Sequence, residues 1–277
     1  MSMQVEKEKR SEHSIGLING YIAYIIWGAV ILYWPYLAPA KPLEILAHRI
    51  LWSLLFVAAI LIYQKRIVSL RVVLKNARQM KLLAVASVLI GINWGLFIWA
   101  SMNGHVLDSS LGYYITPLLN VALGVFFFKE KLRKMQWVAI GIAAFAVLFI
   151  TIAMGVLPWV ALSLATSFAM YGYVKKLANV EALESLMIET LILTPLAIGY
   201  LIWLQFNGGS TFLAYGLDHT LWMASAGIVT AIPLLAFGVA ITRLPFTTLG
   251  MLQYIGPTIQ FFVGVWMTQE AMPQVRW

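Results

Sequence analysis

The sequence predicts an all-α polytopic membrane protein built from two similar halves, and three observations lead to that prediction. First, 61% of the 277 residues are hydrophobic and only 11% are charged, whereas a soluble domain has roughly 45–50% apolar and about 25% charged residues. Second, the chain contains long apolar runs of about 20 residues, the length that a helix needs to cross a bilayer. Third, short motifs recur at one fixed spacing along the chain.

Nine apolar runs are long enough to be membrane-spanning helices. Each run is continuous and lacks the alternation over about ten residues that is typical of a membrane β-barrel. The first run is too long and too rich in aromatic residues for a cleaved signal peptide. The predicted cores are 17–37, 43–63, 82–102, 109–128, 137–154, 157–174, 184–204, 221–242 and 247–268.

The distribution of charge orients these spans. If the N-terminus is cytoplasmic, 16 of the 19 basic residues lie in cytoplasmic segments, and the exceptions are Lys41, Arg49 and Arg276. This asymmetry follows the positive-inside rule, so the net charge of +8 needs no nucleic-acid partner. Glu130, among several of these basic residues, is predicted to lie in a solvated cytoplasmic turn. We expect a multi-pass protein of the cell inner (plasma) membrane, in contact with membrane lipids.

The two halves repeat each other in one ungapped register. The motif Tyr114-Ile115-Thr116-Pro117 recurs as Tyr254-Ile255-Gly256-Pro257, 140 positions later. Because each half should hold five spans, the second half enters the membrane from the opposite side, and the repeat is an inverted one. In this register nine of ten helices are present, since the mate of 137–154 would follow Trp277. The predicted divisions are a cytoplasmic tail (1–16), a first five-helix repeat (17–155) and a second four-helix repeat (156–277).

Several motifs within these runs are distinctive. They are His48-Arg49-Ile50-Leu51-Trp52-Ser53, Ile92-Asn93-Trp94, Leu111-Gly112-Tyr113-Tyr114-Ile115-Thr116-Pro117-Leu118, Lys129-Glu130 and Leu252-Gln253-Tyr254-Ile255-Gly256-Pro257-Thr258. Through them the chain resembles, over almost its whole length, the EamA-type permeases of the RarD kind in the drug/metabolite transporter superfamily. The resemblance implies ten helices in the inner membrane and secondary transport, often export, of metabolites or drugs. It also implies a cavity between the third, fourth, eighth and ninth spans.

Amide and aromatic side chains inside the spans are the candidates for contact with a substrate. Asn120 and Gln260 are equivalent in the repeat, and two amides near the midplane suit a polar group of a substrate. An interhelical hydrogen bond is the alternative, because Gly112 and Gly124 on the same face as Asn120 favour close helix packing. Asn93 within an apolar span needs a partner. The substrate-cavity candidates are Trp27, Asn93, Trp94, Tyr113, Tyr114, Asn120, Gln253, Tyr254 and Gln260.

Prolines and charges inside the spans form a second group of candidates. Pro117, Pro233 and Pro257 each remove a backbone hydrogen bond, which predicts a helix kink that serves either packing or a hinge. Arg49 and Glu189 are the charges well inside spans, and they occupy equivalent positions of the repeat. Three interpretations are open for them: a structural pair, an Arg49 side chain that extends to the nearer interface, and a coupling site in which Glu189 carries a proton.

These features favour a secondary transporter, and more specifically an exporter, of small metabolites or drugs by alternating access. No Gly-x-x-x-x-Gly-Lys motif occurs, so uphill transport would use an ion or exchange gradient. A non-transporting or regulatory membrane protein that lacks its tenth helix is the alternative. A membrane-embedded enzyme is less favoured, because cysteine is absent, the four histidines are scattered and His-Glu-x-x-His does not occur. No catalytic residue, metal site or cofactor is predicted, and the sequence does not indicate an oligomeric state.

Overall fold

The computed structural model describes residues 2–102, 106–154 and 159–266, and the described residues form helices joined by short links, with no strand among them. The prediction of an all-α fold is confirmed for this part of the chain. The α-helices are α1 (Ser2–Ala29), α2 (Pro42–Tyr63), α3 (Ile67–Lys75), α4 (Ala77–Met102), α5 (Val106–Phe126), α6 (Lys134–Met154), α7 (Trp159–Ala178), α8 (Ala182–Phe206), α9 (Gly216–Arg243), α10 (Phe246–Gln253) and α11 (Ile255–Trp266).

Four of the described helices are long and apolar enough to cross a membrane, by length and composition. They are Pro42–Tyr63, Ala77–Phe97, Ala182–Phe206 and Gly216–Arg243. Shorter apolar segments occupy Leu111–Phe126 in α5 and Lys134–Phe149 in α6. The total of nine spans therefore stays a prediction.

Two of the predicted spans are interrupted. In the first, α1 ends at Ala29 and the chain continues as two 3₁₀ turns, Val30–Leu32 and Trp34–Leu37. In the ninth, the helix breaks at Tyr254 between α10 and α11. Pro257, in the first turn of α11, explains the second break, because it has no N–H and its ring clashes with the carbonyl four residues earlier. By contrast, α5 and α9 continue through Pro117 and Pro233.

Two segments outside the predicted spans are also helical. The predicted tail 1–16 is helical from Ser2, as part of α1. The link between the second and third predicted spans contains a short helix, α3, which packs against α4 and α8.

Helices that are far apart in the sequence pack on one another. Helix α1 contacts α9, α10 and α11, α7 contacts α4 and α5, and α2 contacts α8 and α9. Tyr24, Tyr171, Phe237 and Phe246 are almost fully buried where α1, α7, α9 and α10 meet. Helix α6 packs mainly on α5 and exposes large apolar side chains, such as Phe145 and Phe149. Such a surface suits contact with lipid.

One end of the bundle collects the basic links between helices, and we call it the basic end. Here Arg66 forms an ion pair with Glu184 at 2.8 Å, and Arg243 forms one with Glu12 at 2.8 Å. These pairs join the link after α2 to α8 and α9 to α1. Further basic residues in the links and helix ends here include Lys65, Arg71, Lys75, Arg78, Lys81, Lys129, Lys131, Arg133, Lys134, Lys175 and Lys176.

The prediction of a solvated turn at Glu130 is wrong. Its carboxylate accepts the backbone N–H groups of Phe246 at 2.7 Å and Thr247 at 2.8 Å, which are the first residues of α10. The free N–H groups at a helix N-terminus and the helix dipole both favour a carboxylate there. Beside it, the Lys176 ammonium donates to the carbonyls of Ile241 at 3.2 Å and Leu244, at the end of α9. Opposite charges therefore hold the two helix ends that meet at this junction.

Candidate functional site

The candidate site lies beside a very close crossing of α2 and α9. A Cβ atom on Gly227 would lie 2.3 Å from the carbonyl carbon of Trp52 and 2.5 Å from the nitrogen of Ser53, so only glycine fits at this position. Ser53 Oγ donates to the Gly227 carbonyl at 2.9 Å. About one helical turn from this crossing, Arg49 on α2 faces Thr230 on α9.

The Arg49 guanidinium is held by one hydrogen bond and two aromatic rings. Its Nε donates to Thr230 Oγ1 at 2.8 Å. Its central carbon lies 5.2 Å from the ring centroid of Trp34, in the 3₁₀ turn after α1, and 5.3 Å from that of Trp94, on α4. Both distances are within the range of cation–π attraction. The Nε hydrogen bond and the two ring contacts do not fit the interpretation that Arg49 extends freely to the membrane interface.

Two tyrosines complete the surroundings of Arg49. The phenol groups of Tyr33 and Tyr113 are close enough to interact electrostatically with its charge. The Tyr33 hydroxyl also lies 2.7 Å from Ser225 Oγ and hydrogen-bonds to the Trp222 carbonyl, which joins the segment after α1 to α9. The site therefore combines a guanidinium, aromatic faces and hydroxyl groups.

The charge of Arg49 is not neutralised by a carboxylate within the described residues, and the structural pair with Glu189 is not formed. Glu189 Oε1 instead lies 2.6 Å from the Lys175 ammonium, and its Oε2 accepts from the Tyr171 hydroxyl at 2.8 Å. Ser185 Oγ also donates to Glu189 Oε1 at 2.6 Å. Lys175, which the sequence prediction places in a cytoplasmic link, is buried with Glu189. This arrangement favours a structural role for Glu189.

The amide candidates bind other helices. Asn120 Nδ2 donates to Gln253 Oε1 at 2.7 Å, and both residues are buried between α5 and α10. Asn93 Nδ2 donates to the Leu164 carbonyl and to Ser167 Oγ, both at 2.9 Å, and so ties α4 to α7. These are interhelical hydrogen bonds, the alternative that the sequence left open for Asn120. The side chain of Gln260 lies outside the part of the chain that the structure describes.

The glycines near Asn120 fit the packing alternative as well. A Cβ on Gly112 would lie 3.0 Å from the Ala161 carbonyl oxygen of α7, and one on Gly124 would lie 2.7 Å from the Thr247 side chain of α10. This face of α5 is therefore closely packed against two helices.

The aromatic candidates lie in four different environments. Trp94 and Tyr113 surround Arg49, as described above. Trp27 packs in an aromatic cluster, with its ring centroid 5.6 Å from that of Phe237. Tyr114 is 38% exposed on the surface of the bundle, whereas the Tyr254 hydroxyl is buried and has no hydrogen-bond partner in the structure.

Three contributors to the site were missed by the sequence analysis: Tyr33, Trp34 and Thr230. The aromatic pair Tyr33-Trp34 directly precedes Pro35, which signals an interrupted helix end and was available in the sequence. Thr230 gives no such signal, because its role depends on the crossing of α2 and α9.

A second polar cluster surrounds the first turns of α2 and α9. Glu44 Oε1 accepts the N–H groups of Thr211 at 2.6 Å and Phe212 at 3.3 Å. His48 stacks on the Phe212 ring with centroids 4.5 Å apart, and His219 Nε2 lies 3.0 Å from Thr211 Oγ1. Two histidines that are far apart in the sequence therefore share one buried cluster, which ties the link before α9 to α2. No set of three side chains able to hold a metal occurs among the described residues.

Two surface depressions flank α7, and neither includes Arg49. One, of about 430 Å³, is lined by Ala77, Arg78, Lys81, Leu82 and Leu177. The other, of about 370 Å³, is lined by Leu89, Leu162, Ser163, Thr166, Ser167 and Met170. Both are open at the bundle surface.

Known proteins resemble this chain in sequence and in fold. Residues 14–152 match the EamA-like transporter family. Protein RarD of Streptomyces exfoliatus is 48% identical over 275 residues, which cover 99% of this chain and 86% of that protein. Protein RarD of Escherichia coli (strain K12) is 42% identical over 252 residues, which cover 90% and 84%. One solved crystal structure has the same fold, with a TM-score of 0.73 at 16% identity, over 95% of this chain and 92% of that one.

Proposed function

Because the chain belongs to the EamA-like transporter family, we propose that it is a secondary transporter that exports small metabolites or drugs across the inner membrane. The observation that carries this proposal is the site around Arg49. A charge inside a membrane-spanning helix is costly and normally marks a substrate or ion pathway when it faces the protein interior. Here Arg49 donates to Thr230, and its guanidinium lies within cation–π distance of two tryptophan rings.

The helix boundaries support an inverted repeat of halves 17–155 and 156–277. Helices α2 and α8 begin at Pro42 and Ala182, which are 140 residues apart. The packing supports it too, because α1 contacts α9 and α11 in the way that α7 contacts α4 and α5. Exchange of the two halves would convert one set of contacts into the other.

This arrangement supports a mechanism of alternating access. Arg49 and Thr230 belong to different halves, so the candidate site lies between the repeats, where transporters of this kind bind their substrates. Contacts between the halves occur at both ends of the bundle: Arg66 with Glu184 at the basic end, and Tyr33 with Ser225 at the other. Transport would break the contacts at one end while those at the other remain. The positive-inside rule places the basic end in the cytoplasm.

The test compares the export of small molecules from cells that carry the native chain or Arg49→Gln at equal membrane levels. Untargeted mass spectrometry of the medium should show a set of molecules that accumulates with the native chain and falls to the level of empty cells with Arg49→Gln. Arg71→Gln removes the same charge at an exposed position of α3 and should export like the native chain. Equal media from native and empty cells would contradict export, and accumulation inside the cells would reverse the direction.

A further inference from the structure

The Arg49 guanidinium has an unused hydrogen-bonding edge. It carries five N–H donors, of which Nε is bound to Thr230, whereas its two Nη groups donate to no protein atom within the described residues. Thr230 Oγ1 itself donates to the Ala226 carbonyl at 2.7 Å, so its lone pair is directed at Arg49 and orients the fork. The orientation of the guanidinium is thus determined before any ligand binds.

Among the residues that the structure describes, no carboxylate forms an ion pair with this fork. Two other buried or partly buried cations have carboxylate partners: Lys175 with Glu189, and Arg66 with Glu184. Arg49 instead faces the rings of Trp34 and Trp94, which attract a cation but carry no net charge. An unpaired charge in a span is the costly state, and a planar carboxylate matches the two free Nη groups of a guanidinium.

We infer that Arg49 binds the carboxylate of the transported molecule, and that the cargo is a small organic acid with a flat apolar or aromatic group. The carboxylate lies on the Nη edge, and the flat group packs against the indole of Trp34 or Trp94. The phenol of Tyr113 supplies a further donor nearby, whereas the Tyr33 hydroxyl already donates to the Trp222 carbonyl. This inference rests on the proposed transport function and assigns its substrate class.

The test uses matched acids and amides on the purified full chain in detergent. The probes are benzoate with benzamide, 3-phenylpropionate with 3-phenylpropionamide, and indole-3-acetate with indole-3-acetamide, and binding is measured by calorimetry and thermal shift. We expect each acid to bind about tenfold or more tightly than its amide, because the guanidinium makes charge-assisted hydrogen bonds only to the acid.

Variants test whether a preference for acids over amides depends on Arg49. Arg49→Gln should bind acid and amide equally, and Arg49→Lys should keep part of the preference, because an ammonium has the charge but not the fork. Thr230→Val leaves the charge in place and removes the acceptor that orients it, so it should weaken acid binding if Arg49→Gln fails to fold. The exposed control Arg71→Gln should behave like the native chain.

Three outcomes would overturn the inference: equal binding of acid and amide, an acid preference that survives in Arg49→Gln, or no binding of any of the six probes in the millimolar range. Export of neutral or cationic molecules by cells would remove the inference and leave the transport function in place. Acid binding at Arg49 without export would keep the site and remove the transport function.

Discussion

Ser53 Oγ donates a hydrogen bond to the carbonyl of Gly227 at 2.9 Å, and this contact marks the place where α2 and α9 cross with backbone against backbone. Arg49 on α2 and Thr230 on α9 lie about one helical turn from this crossing. The crossing therefore sets the distance between these two side chains. The glycine is therefore a positioning residue for the candidate site, although it does not face the substrate.

We predict that Gly227→Ala destabilises the protein by about 1–3 kcal/mol, the usual cost of an overpacked core. The added Cβ would lie 2.3 Å from a backbone atom of Trp52, so α2 and α9 must separate. Thermal unfolding in detergent measures the loss, and acid binding should weaken with it. Gly141→Ala is the matched control, because its Cβ would meet no atom within 4 Å. Equal melting temperatures for the two variants would contradict the prediction.

We predict a graded loss of stability at Glu130. Glu130→Ala removes both acceptors of the α10 N–H groups and should cost about 1–2 kcal/mol, whereas Glu130→Gln keeps one acceptor and should cost less. Denaturant unfolding at neutral pH measures both losses. Glu181→Gln serves as control, because Glu181 is exposed and its side chain does not cap α8. A Glu130→Ala protein as stable as this control would show that the cap is dispensable.

We predict that Asn120 and Gln253 are energetically coupled. Their hydrogen bond joins α5 to α10 at 2.7 Å, and such bonds between membrane helices contribute about 0.6 kcal/mol on average. The double-mutant cycle of Asn120→Ala and Gln253→Ala should recover a coupling of that size in thermal unfolding. Purely additive losses, together with export abolished in both single variants, would instead indicate that the two amides contact the substrate.

How far the sequence predicts this molecule depends on the range of the interaction. Apolar runs predict the helices, because the hydrophobicity of a segment depends only on its own residues. Arg49 and Glu189 are conspicuous for the same reason, since any charge stands out in an apolar run. Pro257 indicates the interruption near Tyr254, because its missing N–H acts on its own helix.

Contacts between distant segments were not predictable in the same way. Glu130 lies among basic residues in a link, and its role depends on α10, which begins 116 residues later. The repeat register pairs Arg49 with Glu189, but equivalence in a repeat is not proximity. Their partners, Thr230 and Lys175, depend on how helices cross, which a single sequence does not encode in any local pattern.

The ion pair of Lys175 and Glu189 is buried. The stability of the folded protein should therefore depend on whether both charges are present or both are absent. Lys175 is 2% exposed and its ammonium lies 2.6 Å from Glu189 Oε1. Removal of one partner from such a pair leaves an uncompensated buried charge, at a cost of about 3–5 kcal/mol, whereas replacement of both by apolar residues is often neutral.

We therefore predict that Glu189→Met and Lys175→Met each lower the melting temperature strongly, and that the double variant regains most of the loss. A proton-carrying Glu189 would behave differently: the double variant would be stable, but export would lose its dependence on a pH gradient. The decisive measurement is thus export by the double variant with and without that gradient, beside its melting temperature. If export by the double variant depends on the pH gradient as strongly as export by the native chain does, the pair has a structural role. Methionine cannot carry a proton, so a coupling role for Glu189 would require that this dependence be lost.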